Sequence, residues 1–223
     1  MKKRFLFILL LVAVFSVQLS SQAFTLKIGI FSPAMESDLW EINLENLAMA
    51  RSDLVSTTYG AEYEFFLNRF ASLSFEMGSY NKTVFSQYRD YEFLDGTPIQ
   101  QNISLRITPI ELGAKLYPLS HRQQFILYFG ASAGIYAWNF EQWGSFINFQ
   151  DFTVSDGTAI TRTYTPGFSV RSGISFRFMY NIALLLEAKY QYLRGRLSGF
   201  FQDFDKLDLS GFQASLGITY YFR

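Results

Sequence analysis

Hydrophobic and polar residues alternate almost one for one through most of this chain. From Ser210 to Phe222, one face would carry Phe212, Ala214, Leu216, Ile218, Tyr220 and Phe222, and the other Gly211, Gln213, Ser215, Gly217, Thr219 and Tyr221. Successive side chains of a strand point to opposite faces, so the pattern predicts a strand with one apolar and one polar side. Seven more stretches share the rhythm. They are Phe24 to Ser32, Leu54 to Leu67, Ala71 to Gly78, Ile103 to Tyr117, Gln124 to Trp138, Tyr164 to Phe178 and Leu184 to Tyr192. Within the fourth, Ile103, Leu105 and Ile107 precede Ile110, Leu112, Ala114 and Leu116. Keeping both sets on one face requires a change of parity, and Pro109 predicts a bulge there.

Connections between these stretches alternate between long (about 13 to 25 residues) and short (about 3 to 6), the rhythm of long outer loops and short inner turns. Each apolar face is long enough for the roughly 9 to 11 residues with which a tilted strand crosses hydrocarbon. Membrane strands leave no unpaired edge, so the eighth must pair with the first. The expected fold is all-β, an eight-stranded antiparallel up-and-down transmembrane β-barrel. Soluble sandwiches share the alternation but have no reason to alternate loop lengths. The segment from Pro33 to Asp53 mixes both periodicities and is left as an outer loop.

The N-terminus reads differently. Lys2, Lys3 and Arg4 precede an apolar run from Phe5 to Val17, and Ser21-Gln22-Ala23 offers small residues for cleavage. Residues 1–23 are expected to be a removed export signal and 24–223 the barrel domain. The whole chain balances 19 Lys+Arg against 19 Asp+Glu, so losing three leader bases leaves a slight acidic excess. Nothing in that balance invites nucleic acid. With no cysteine and one histidine, thiolate and multi-histidine metal sites are excluded, and no cofactor is expected. Aromatics make up 19% of the residues while mean hydropathy is only +0.09, in keeping with fine interleaving.

The polar faces carry Lys27, Glu62, Glu64, Glu76, Arg106, Glu111, Lys115, Arg171, Arg177, Glu187 and Lys189, a nearly neutral set. Eight strands enclose a space that side chains largely fill, so these groups are expected to form cross-strand ion pairs in preference to a selectivity filter. No spacing singles out a nucleophile. His121 falls in an inner turn, where a solvated residue is expected, and an enzyme is the least favoured reading. Trp40, Phe140, Trp143 and Phe146, with Phe149, Phe152, Phe200, Phe201 and Phe204, make the outer loops unusually apolar. They are expected either to pack as an extended rim or to form an aromatic mouth.

Gly217-Ile218-Thr219-Tyr220-Tyr221-Phe222 resembles the C-terminal signal that hands bacterial outer-membrane barrels to their insertion machinery, with Gly217, Tyr220 and Phe222 as its marked positions. Ile107-Thr108-Pro109-Ile110-Glu111-Leu112, Lys115-Leu116-Tyr117 and the run from Tyr128 to Tyr136 resemble the OmpW-like and OmpX/OmpA-like family of small barrels. That resemblance implies a cell-outer-membrane protein in contact with lipid and lipopolysaccharide. It also implies passage of small hydrophobic molecules through a narrow bore with a lateral exit. The alternative is a plugged barrel that binds, adheres or serves structurally.

Overall fold

The computed structural model describes residues 22–149, 151 and 153–222; most of the expected leader, together with Phe152, lies outside the described residues. Eight long strands run in chain order: β1 (Gln22–Pro33), β2 (Ser56–Asn68), β3 (Ala71–Glu92), β4 (Pro98–Leu116), β5 (Phe125–Asn148), β6 (Thr153–Met179), β7 (Ile182–Tyr192) and β8 (Gly211–Phe222). Each pairs antiparallel with its sequence neighbours, and β1 pairs with β8 from Gln22↔Phe222 to Pro33↔Gly211, closing the barrel as expected. Gln22 and Ala23, on the leader side of the expected cut, already belong to β1.

The lower part of the barrel follows the alternation. Leu26, Ile28, Leu112, Phe129, Ile174, Leu186, Leu216 and Ile218 all project outward and are exposed, while Glu62, Glu111 and Glu187 are each 1% exposed inside. Along β5 the outward apolar run from Phe125 to Ile135 covers eleven positions, matching the thickness of hydrocarbon that a tilted strand crosses. No described helix is long and apolar enough to cross a membrane.

Above that belt the strands continue, and the pattern inverts. Ile103, Leu105 and Ile107 point inward and are at most 1% exposed, as are Tyr136 and Phe140, with Trp138 scarcely more so. Arg106 faces outward. This corrects the sequence reading at Pro109. The β4–β5 ladder passes through Thr108↔Ala137, Pro109↔Tyr136 and Ile110↔Ile135 without a shift, and β3 keeps the same register from Met77↔Ile110 to Tyr80↔Ile107. The backbone does not change parity. The hydrophobic side does, because the strand leaves lipid and enters water, where apolar residues belong inside.

Two expected outer loops are therefore strand extensions: β3–β4 and β5–β6 are hairpins ending near Leu94 and Phe149. The segment from Pro33 to Asp53 contains a helix, α1 (Asp38–Asn46), followed by a 3-10 turn at Arg51–Leu54. Met35, Leu39, Trp40 and Leu47 of this segment, with Leu54 just after it, cap the extracellular half and join one apolar core with Phe31, Leu105, Phe140, Phe201 and Leu209. Trp40 is fully buried, packed edge-on against Phe140 at 5.2 Å, and its Nε1–H donates to the Asp208 carbonyl at 2.8 Å. The Glu36 N–H donates to Asp208 Oδ2 at 3.1 Å, and the Asp208 N–H donates to Ser37 Oγ at 3.2 Å. The loop after β1 is thereby clasped to the loop before β8.

Candidate functional site

Large inward side chains fit a narrow bore only where neighbouring strands carry none. Tyr128 lies over Gly173, Tyr136 over Gly167 and Trp138 over Gly195. A Cβ on Gly173 would stand 2.6 Å from the Tyr128 ring, so these glycines are required by close approach.

At the level of the apolar belt, ten ion pairs link nine charged side chains across the bore among the described residues. Lys27 Nζ reaches Glu62 at 2.7 Å, Glu76 at 2.8 Å and Glu187 at 2.8 Å. Arg171 Nη1 donates to Glu62 at 2.9 Å and also to Glu76, while its Nη2 donates to Ser132 Oγ at 2.7 Å. Lys189 joins Glu76 at 2.8 Å to Glu111, and Lys115 joins Glu62 to Glu64. Carboxylate oxygens left over receive hydroxyls: Tyr117 and Ser72 on Glu64, Tyr128 on Glu187, Tyr136 and Ser132 on Glu111. Burying charge is costly unless each group is paired and its remaining hydrogen-bonding capacity met, and this arrangement meets both conditions.

The expected interior set is thus assembled, with two exceptions. Arg106 is not in the bore but on the outer surface. Arg177 points inward at the periplasmic end, apart from the carboxylates, where its guanidinium stacks on Tyr221 at 4.2 Å and donates to the His121 carbonyl at 3.0 Å. His121 is not a solvated turn residue: it is 4% exposed and stacks on Phe66 at 4.0 Å, closing the lower end. Burial lowers its pKa from the ordinary 6.5. Sequence reasoning passed over Tyr117, Tyr128 and Tyr136 as partners of the network. Their shared parity with the interior glutamates was the available signal.

Above the charges a cavity of about 10 Å³, lined in part by Phe31, Thr58, Tyr80 and Gln191, offers room for about one water. Higher still, Trp40 and Phe140 are buried in the apolar core that fills the mouth, packed against one another as the extended-rim alternative has it. Phe146 packs partly buried against the same core, and Trp143 lies half-buried on the outer face of β5. Tyr220 and Phe222 face outward at the lower end of β8, and Gly217 faces in. Ser132 lies within a hydrogen bond of Glu111, Arg171 and Ser169, enclosed and without an imidazole among those partners. No group of described residues could hold a metal ion.

No family model matches the chain, and no curated protein matches its sequence. Among solved structures it is similar to the outer membrane protein OprG from Pseudomonas aeruginosa, with a TM-score of 0.56 at 10% identity over 91% of this chain and 96% of that one. It is also similar to Neisserial surface protein A, with a TM-score of 0.53 at 10% identity over 91% and 97% of the two chains. Identity that low speaks for the fold alone. The fold is that of the small eight-stranded outer-membrane β-barrels.

Proposed function

We propose that this chain is a non-enzymatic protein of the outer membrane whose bore is closed, so that its work is done by the extracellular half as a binding or structural surface. The observation that carries this reading is the ion-pair network, which joins strands on opposite sides of the barrel and fills the bore. Exposed apolar side chains toward the extracellular end support a contact role: Phe85 is 79% exposed on β3, and Leu94 and Phe200 stand open in the loops. Passage of small hydrophobic molecules needs the ion pairs to separate, and it is the weaker reading. Gly217, Tyr220 and Phe222 serve, in this proposal, as the signal read by the insertion machinery.

Reconstitution in planar bilayers and vesicles tests the reading. The expected outcome is neither ionic conductance nor facilitated flux of a small apolar solute, with Trp143→Ala indistinguishable from the parent. Steady solute flux that Trp143→Ala reduces would overturn it in favour of a conduit.

A further inference from the structure

Arg106 and Arg162 stand on the outer wall, one strand apart from each other. The register places Asn81, Arg106, Asn139 and Arg162 in one outward row across β3, β4, β5 and β6. Neither guanidinium has an ion-pair partner among the described residues; the one bond recorded is Arg162 Nε donating to Asn139 Oδ1 at 3.4 Å. Glu141, the nearest acid on that face of β5, lies one row higher, opposite Ser104. A surface cavity of about 480 Å³ lies between the two arginines, floored by Thr108 and Ala137 and bordered by Tyr164. The row lies four residues above Ile135, the last large apolar side chain of the belt on β5, which is the depth of lipid headgroups.

We propose that this cavity binds the phosphorylated headgroup of an outer-leaflet glycolipid of the lipid A type. Guanidinium groups pair with phosphate through parallel N–H···O bonds, and two of them unpaired at the top of a lipid-facing wall are matched to an anionic headgroup. Two inter-strand spacings put their backbones about 10 Å apart, so a ligand touching both must be broad. A bisphosphorylated disaccharide meets that requirement better than the single phosphate of a glycerolipid. Further down the same strands, past the outward row of Ile110 and Ile135, a depression of about 510 Å³ runs over Ala114, Ala131 and Ala133 between Leu112 and Phe168, leaving space for acyl chains. This site does not depend on whether the bore is closed.

Native mass spectrometry of the full-length protein in neutral micelles tests it, using bisphosphorylated lipid A, its dephosphorylated form and phosphatidylglycerol as probes. The expected result is retention of bisphosphorylated lipid A at least about tenfold tighter than either other lipid. Arg106→Gln with Arg162→Gln should abolish that preference, while Arg51→Gln, in the extracellular 3-10 turn, keeps it. Equal retention of the phosphorylated and dephosphorylated forms by the parent protein overturns the proposal without recourse to any variant. Phosphatidylglycerol binding as tightly as lipid A overturns the glycolipid assignment, and an undiminished preference in the double variant overturns the site.

Discussion

Arg171 and Glu62 stand on strands β6 and β2, diametrically opposite in the ring, and their side chains meet at 2.9 Å. A contact across the full width of a barrel shows that the bore is no wider than two extended side chains. It also makes each charge answerable to several others. Arg171→Met is expected to destabilise the barrel by about 3–5 kcal/mol, because the carboxylates it faces remain buried with one cation fewer. Urea unfolding from lipid vesicles measures this. Pairing it with Glu76→Gln should cost less than the two single changes added, since the double change restores the balance of charge.

Trp40→Ala removes one of the two tryptophans of the extracellular core and is expected to cost about 3–5 kcal/mol there. The loss should be local. Protease cutting between residues 34 and 55 should accelerate, while the membrane half keeps its folded mobility in unheated detergent gels.

The β5–β6 hairpin pairs Gly144 with Gly157 and Ser145 with Asp156 well above the apolar belt. Replacing the residues between Ser145 and Asp156 with a two-residue turn removes no lipid-facing position among the described residues. Insertion into vesicles should be unchanged, while adhesion to a partner surface, measured with the folded protein, should fall because Phe146 and Phe149 go with the hairpin tip.

His121 supplies a pH dependence. Its pKa is lowered in the folded protein by burial, with the charges of Arg122 and Arg177 acting in the same direction against a hydrogen bond to Arg69. A base whose folded pKa lies below its unfolded value favours the neutral fold. That contribution is complete above about pH 6.5 and is lost as pH falls through the lowered value. The urea midpoint should therefore drop between about pH 7.5 and pH 5, and His121→Phe should flatten that part of the curve.

Much of this architecture was legible from period-2 alternation alone, including the eight strands, the closure of β8 on β1 and nine of the eleven interior charges. Arg106 shows where the signal fails. Alternation tells which residues share a face, but not which face is wet, and the sequence reading took apolar to mean lipid along the whole of β4. That holds only while lipid is outside. Ile103 and Leu105 are as hydrophobic as Ile110 and Leu112, yet they face the opposite way because they stand above the bilayer. The same assumption shortened β3, β5 and β6 and turned their upper halves into loops. Trp40 was legible as an apolar outer residue, but its partners Phe140 and Asp208 are distant in sequence and no local pattern joins them. Arg177 kept its parity and lost its expected company, since a strand's rhythm fixes the side of a residue and leaves its depth open.

Every neighbouring pair of strands in this ring is joined by a connecting segment except β1 and β8, which makes their shared edge the natural place for the wall to unzip. Ser37 and Trp40 reach over that edge to hold Asp208, and the Ala34 N–H donates to the Ser210 carbonyl at 2.7 Å beside them. The clasp supplies in water the tether that the polypeptide lacks in lipid, so sideways parting of the wall must first peel the helix from its seat.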